Sequence, residues 1–494
     1  MRHLLCIGVF SLAATLAGAE NLEVQEFLGD SWYGLYLNGD KAGYSQNALT
    51  QEPNGDLVSL EDARFKISMA GIQQDMHIYS KRTYAATGEL KHIESEIVDP
   101  AGTSRFVGVV QGDGLILTST VGGQSTEQKL PLPKETLADA IKLARWMKES
   151  PKIGDSLQFS VFEPMYQKEI LGTSTIAGVD ERMFEGVMTK VYQVKTSLDM
   201  MGVESVAYVA EDGTTLEDAI AGIITMRLEP EEIAKDVDYK NDVIVSNAAM
   251  VDKPIKDART RASLKLNITG PLTEDHLFND ERQKLEASGD QFVFTGTRLT
   301  EEDLEPVQLP VMDPKMQYWL EPTVFVQSDD PKIKAKAKEI VGDEKDTFVI
   351  TEELCHWVKN SMRSTFSARL TNALEVLDSL AGDCTEHSIL FIALARAAGV
   401  PAREVAGLIY VDGAQPGFYF HQWAKVWVGE WIDVDPTFNQ PLADVTHIKL
   451  AEGDLFRQAR LIPVIGKLQI EVVEDAKAAM AGPVPLHLML AAVH

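Results

Sequence analysis

Gly382-Asp383-Cys384-Thr385-Glu386-His387 opens a run that closes at Gly399-Val400-Pro401-Ala402-Arg403. Between them the apolar positions are Ile389, Leu390, Ala393, Leu394 and Ala397. That spacing is the stripe of a buried helix, and Gly399 with Pro401 supplies its stop. Cys384 therefore falls in the first helical turn. Unpaired backbone N–H groups and the helix dipole there favour a thiolate, and the same groups can hold a developing oxyanion. A small buried cysteine is the competing reading of a lone thiol. The residues downstream decide between them.

Those residues are His421 in Phe420-His421-Gln422-Trp423 and Asp435 in Asp433-Val434-Asp435-Pro436-Thr437. A cysteine, a histidine and a carboxylate in this order are the parts of a thiol nucleophile with an oriented base. Ala402 to Val411 alternates as a strand, a Gly-containing loop follows, and Gln422 to Val434 reads as a hairpin with Gly429-Glu430 near its tip. Register then ranks the carboxylates. A two-residue loop would put Asp435 on the face opposite His421. A three-residue loop pairs 427 with 431 and brings Asp435 diagonal to His421 on one face, about 7 Å away by backbone. The chemistry predicts the three-residue loop, with Asp433 opposite Lys425 as a salt-bridge partner. A zinc site built from Cys384, His387 and His421 lacks a second cysteine pair and regular spacing. His387, three residues after Cys384, reads as a partly buried helix histidine. No metal is expected, and no spaced-acid calcium loop is present.

The rest of the chain frames this site. At 494 residues, 45% apolar and 24% charged, it is globular and sized for three folded units, or two. Met1-Arg2-His3, the apolar run Leu4 to Leu16 and Ala17-Gly18-Ala19 form a signal-peptide pattern cleaved after Ala19. Export to a bacterial periplasm or the medium follows. No later segment is apolar over the ~18 residues a membrane span needs. Of three cysteines, Cys6 leaves with the signal. A Cys355–Cys384 bridge would consume the nucleophile and has only the compartment in its favour. The formal charge of −28, or −29 without Arg2, disfavours nucleic acid as a partner.

Residues 20–235 read as a β-rich domain. Asn38-Gly39 between Trp32–Leu37 and Ala42–Tyr44 is a two-residue hairpin signal, and one helix is expected over Glu135 to Lys148. A twisted sheet or half-barrel with one helix is the expected form. A second β-rich region spans 240–325. Residues 330–494 form the catalytic region: Pro331 opens the helices, and Ile350, Leu354, Trp357, Val358 and Met362 share one helical face.

Five segments carry a resemblance: Ala373 to Leu377, Gly382 to Glu386, Ala395 to Arg403, His421-Gln422-Trp423 and Asp435-Pro436-Thr437. Together they resemble the transglutaminase-like superfamily of papain-like cysteine enzymes, in a bacterial exported multi-domain form. The resemblance covers about 340 to 450. It implies an α+β fold whose nucleophile helix packs on an antiparallel sheet, with Cys384, His421 and Asp435 as the triad. It also offers Trp357 as an aromatic contributor to the oxyanion hole, although its helix-face spacing favours core packing. Where members of the family often carry an acidic residue four positions after the histidine, this chain has Lys425.

The expected activity is cysteine-dependent acyl transfer, hydrolysing a peptide, protein or related amide of the cell envelope through a thioester. Protein cross-linking is the alternative reaction. A non-enzymatic envelope binding module, with the β-rich regions carrying the role, is the alternative class. No cofactor is expected.

Overall fold

The computed structural model describes residues 24–69, 72–99, 102–184, 186–199, 204–239, 247–365, 371–413, 415–461, 464 and 466–473. The signal peptide expected over 1–19 lies outside them. The chain divides into two compact units, one up to residue 241 and one from 242 onward apart from 368–370.

The first unit is a fourteen-stranded antiparallel sheet. It consists of two meanders, the first running from the centre out to one edge and the second from the other edge back to the centre, where Gly29–Leu37 pairs with Ile224–Leu228. The edges are Gln124–Pro131 and Ser156–Glu163. Asn38 (φ +52°) and Gly39 (φ +92°) both take left-handed backbone between Gly29–Leu37 and Asp40–Gln51. That is the geometry a two-residue hairpin turn demands, and it explains why Asn-Gly stands there. One helix, Leu137–Lys148, links the edge strands. Thr136 caps it, with Asp139 Oδ2 accepting from the Thr136 backbone N–H at 2.8 Å. Its Leu137 and Ile141 pack with Leu49, Leu57 and Tyr84 of the first meander, while Leu143 and Met147 pack with Ile176, Tyr192 and Val194 of the second. One amphipathic helix thus supplies core to both halves of the sheet.

The second unit is α+β. Four helices, Pro331–Val341, Thr347–Ser361, Ala373–Ser379 and Cys384–Ala398, enclose a core that includes Ile333, Ile350, Leu354, Val358, Leu390, Phe391 and Leu394. Each begins at an acceptor side chain. Asp330, Asp346, Asn372 and Asp383 accept from backbone N–H groups of the first turn, and Pro331 occupies the position where a missing N–H costs nothing. Leu390 and Phe391 are fully buried, so truncating either to alanine costs about 2–5 kcal/mol.

The helices face an antiparallel sheet ordered Ala249–Met250, Gly417–Trp427, Ala402–Val411, His447–Glu452, with Trp431–Val434 also paired to Gly417–Trp427. A second sheet joins Gln283–Ser288, Gln291–Thr297, Ser263–Thr269 and the distant Gln469–Val473. Leu264, Leu266 and Ile268 point inward at alternate positions, the period-two pattern of a half-buried strand.

Candidate active site

The Cys384 helix is fixed at its start by a reciprocal cap. Asp383 Oδ1 accepts from Thr385 N at 2.9 Å, and Glu386 Oε2 accepts from Asp383 N at 2.8 Å. Glu386 Oε1 also accepts from Thr371 Oγ1 at 2.7 Å. Gly382 is required by this arrangement, because a Cβ there would stand 2.2 Å from Glu386 Cβ. Gly399, at φ +95°, ends the helix. Cys384 is its first residue and is half-buried, with a free thiol. Ser388, one turn on, has its hydroxyl 2.7 Å from Cys384 O and 3.1 Å from Gln422 O. It pins the helix to the strand next to His421.

The hairpin takes the three-residue register: Trp427 pairs with Trp431, Val426 with Ile432, Lys425 with Asp433 and Ala424 with Val434. Asp435 follows directly, and its Oδ2 lies 2.8 Å from His421 Nε2. The other imidazole nitrogen, Nδ1, is the one left for Cys384, which is close enough to help raise the pKa of His421. Cys384, His421 and Asp435 are therefore brought together in one chain of contacts.

Asp-Pro-Thr is a local device. Asp435 Oδ1 accepts from Thr437 N (2.8 Å) and Phe438 N (3.2 Å), closing a turn on its own side chain. Its backbone N–H and C=O pair with Gln440 at 2.8 and 2.9 Å. One carboxylate oxygen holds the loop while the other faces the imidazole. His421 stacks on Trp423 at 5.9 Å and meets Phe438 edge-on at 5.4 Å, which fixes the ring plane.

A second histidine completes the site, and sequence reasoning missed it. His447 Nε2 lies 2.9 Å from Asp435 Oδ2, the same oxygen that holds His421. His447 Nδ1 lies 3.4 Å from Asp444 Oδ1, and Asp444 Oδ2 accepts from Arg259 Nη1 at 3.1 Å. Half-buried Arg259 and the buried Asp444, His447, Asp435 and His421 form a continuous line of alternating charge. The only local hint was Asp444-Val445-Thr446-His447, an acidic turn entering an apolar strand.

Electrostatics follow from burial against pairing. Burial opposes charge on His421, but Asp435 and Cys384 outweigh it and raise its pKa to about 9. His447 is raised likewise, with Asp444 and Asp435 overcoming desolvation. Asp435, although fully buried, is held far below the usual carboxylate range by the two imidazoles. His387 goes the other way. Burial lowers its pKa, its Nδ1 donates to Asp383 O at 2.7 Å, and its buried Nε2 has no partner among the described residues. Cys355 is a buried free thiol 3.7 Å from Asp435 O, and burial raises its pKa well above the ordinary thiol value.

Asp433 belongs to a different network. It accepts from Arg282 Nε (2.9 Å) and Trp423 Nε1 (3.0 Å) and pairs with Lys449 Nζ (3.3 Å). Lys425, its cross-strand neighbour, turns instead to Asp280 (2.8 Å) and Glu452 (2.9 Å). Arg403 pairs with Glu452 at 2.6 Å and covers the Trp431 ring. Trp357 packs against the helical core with Lys336 Nζ 5.6 Å above its ring, where a core role accounts for it. Among the described residues the group able to hold a metal is His421, Asp435 and His447, whose ligand atoms lie within 4.8 Å of one another. Both histidine nitrogens there already donate to the one carboxylate oxygen, and Cys384 is not part of the group.

Residues 334–436 match the model of the transglutaminase-like superfamily. The helices and strands around Cys384 thus have a transglutaminase-like fold, preceded by large antiparallel sheet. An uncharacterized protein of Haemophilus influenzae is 35% identical over 98 residues, which are 19% of this chain and 26% of that protein, so the chain matches about a quarter of its relative's length. A solved cysteine-protease candidate from Cytophaga hutchinsonii is 21% identical, covering 45% of this chain and 90% of that one at a TM-score of 0.30. The periplasmic domain of TgpA from Pseudomonas aeruginosa, bound to ethylmercury, is 14% identical over 58% of this chain and 74% of that one, with a TM-score of 0.23. A beta-barrel-like protein from Brucella abortus is 11% identical over 40% of this chain and 94% of that one, at 0.32. No described helix is long and apolar enough to cross a membrane.

Proposed function

We propose that this chain is an exported cysteine-dependent acyl-transfer enzyme that hydrolyses a peptide or related amide with Cys384, His421 and Asp435. The observation that carries the reading is the imidazole of His421 set between the Cys384 thiol and Asp435 Oδ2, 2.8 Å from the latter. The thiol proton passes to His421 Nδ1, and Asp435 stabilises the imidazolium through Nε2. The Cys384 sulfur then attacks the amide carbonyl, while N–H groups at the helix start face the developing oxyanion. Collapse of the tetrahedral intermediate breaks the C–N bond, and His421 returns its proton to the leaving amine. The thioester is resolved when His421 takes a proton from water and the resulting hydroxide adds to the acyl carbon. The sulfur leaves as the acid forms.

Water is preferred to an amine as acceptor because no described group near Cys384 is set to bind one. The acidic, signal-led sequence supports export to the periplasm or medium and an envelope peptide or protein as substrate. Incubation of the protein with envelope extract, followed by intact mass measurement, tests this reading. An acyl adduct on Cys384 that Cys384→Ala abolishes supports it. Labelled primary amine incorporated into a glutamine-containing protein would move the reaction to transfer, and no adduct with any extract would contradict the enzyme reading.

A further inference from the structure

The first unit holds a cavity of about 390 Å³ between one face of the sheet and the helix Leu137–Lys148. Its floor is a polar row in direct register across four strands: Ser31 opposite Asn47, Asn47 opposite Glu61 and Glu61 opposite Ser80. Residues of one register row share one face, so this row stands in the cavity beside apolar Leu49, Phe159 and Val161. Interior polar groups are expensive unless they are paired. Here they are not. Glu61 Oε1, Asn47 Nδ2 and Asp139 Oδ1 are all shielded from solvent and have no hydrogen-bond partner among the described residues. Asp139 is 1% exposed and lines the cavity from the helix opposite.

Charge selects the kind of partner. Among the lining residues the one cationic side chain is Arg82, and its charge is already matched: Nη1 donates to Ser80 at 2.6 Å and Nη2 to Phe162 O at 3.2 Å, while Nε, which makes no hydrogen bond among the described residues, lies 2.9 Å from Glu135 Oε1 in an ion pair. The exposed rim adds Glu26, Asp30 and Asp212. Two orphaned carboxylate oxygens behind an acidic rim call for a cationic donor. The orphaned Asn47 amide, adjacent to Glu61 in register, calls for an acceptor beside that cation. We propose that this cavity binds a small polar ligand carrying a primary ammonium next to a carbonyl or hydroxyl oxygen. The amino end of a short peptide and an amino sugar share this chemistry. The volume suits a molecule of that size.

Glu61 faces Asn47 on one neighbouring strand and Ser80 and Arg82 on the other, with Asp139 and Glu135 from the helix segment and Glu163 nearby. Burial pushes its carboxyl up to about 8, with Arg82 opposing and Glu163 adding. The empty cavity therefore keeps a proton on Glu61 at neutral pH, and an arriving ammonium displaces it.

The site is independent of the Cys384 reading. Calorimetric titration of the full chain at pH 7 with leucyl-glycinamide, its N-acetyl form and glucosamine tests it. Saturable 1:1 binding of either amine is expected, with a proton released and the N-acetyl peptide at least about tenfold weaker, as for one lost charge-assisted hydrogen bond. The amine that binds tighter identifies the source. Glu61→Gln should abolish the proton release and weaken binding by a similar factor, and Ala140→Leu, which fills the cavity from the helix, should block it. Cys384→Ala should leave binding unchanged. No titration with either amine up to about 10 mM, or equal binding of the acetylated peptide, would show a water-filled cavity only and overturn the proposal.

Discussion

His447 donates to the same oxygen of Asp435, Oδ2, that accepts from His421, at 2.9 Å against 2.8 Å. Two imidazoles thus divide one buried carboxylate. Because His447 is itself favoured as a cation by Asp444, it weakens the hold of Asp435 on the His421 proton. Replacing His447 by alanine should raise the pKa of His421. It should also cost about 1–3 kcal/mol of stability for the donors and acceptors left bare. The upper step of a Cys384 alkylation–pH profile, which follows His421, reports the first effect. A lower melting temperature with an unmoved step would reduce His447 to packing.

Asp435→Asn should act in the opposite sense. It removes the charge that, with Cys384, lifts His421 to about 9, so the upper step should fall towards the ordinary value near ~6.5. Turnover of any substrate found by adduct mass should drop by roughly 10²–10⁴ through the wrong imidazole orientation. Retained turnover with a shifted step would assign Asp435 to electrostatics alone.

Asp433 should separate cleanly from Asp435. Asp433→Ala leaves the buried Arg282 without its carboxylate, while Lys449 keeps Asp280 and Glu452, and should cost about 3–5 kcal/mol in denaturant unfolding. The folded fraction should keep the wild-type alkylation profile, whereas Asp435→Ala should alter it.

Stability should depend on pH through His421 with a definite sign. Its folded pKa is raised to about 9 from 6.5, so its contribution is full below the unfolded value and lost as pH climbs through about 9. Asp435 is depressed, so its contribution is present above the ordinary carboxylate pKa and lost as pH falls. Melting temperature should therefore drop between pH 7 and 10, and His421→Phe should flatten that part of the drop. An equal slope in both proteins would contradict the assigned shift.

Much of the Cys384 neighbourhood was legible because its constraints are local. A helix stripe, an acidic cap and the stop at Gly399 place the thiol, and the period-two rule turns one hairpin register into a choice between Asp433 and Asp435. His447 was not legible, since its place depends on His447–Glu452 pairing with Ala402–Val411, where Ile409 meets His447. Arg259 and Asp280 reach the site region from more than a hundred residues away, and no local pattern encodes that. The same holds in the first unit. Asn38-Gly39 announces its hairpin, but the meeting of Tyr33 with Leu228, which joins the two meanders, is a long-range pairing. The row through Asn47 and Glu61 looks like ordinary strand polarity until register places it inward.

Cys384 and His421 are expected to act as one ionising pair. The most direct measurement is the rate of Cys384 alkylation by iodoacetamide against pH, in wild type and His421→Ala, with Cys355 replaced by serine to isolate the signal. The wild-type rate should carry a step near 9 that follows His421, and the His421→Ala profile should lose that step. Superimposable single curves for the two proteins would contradict it.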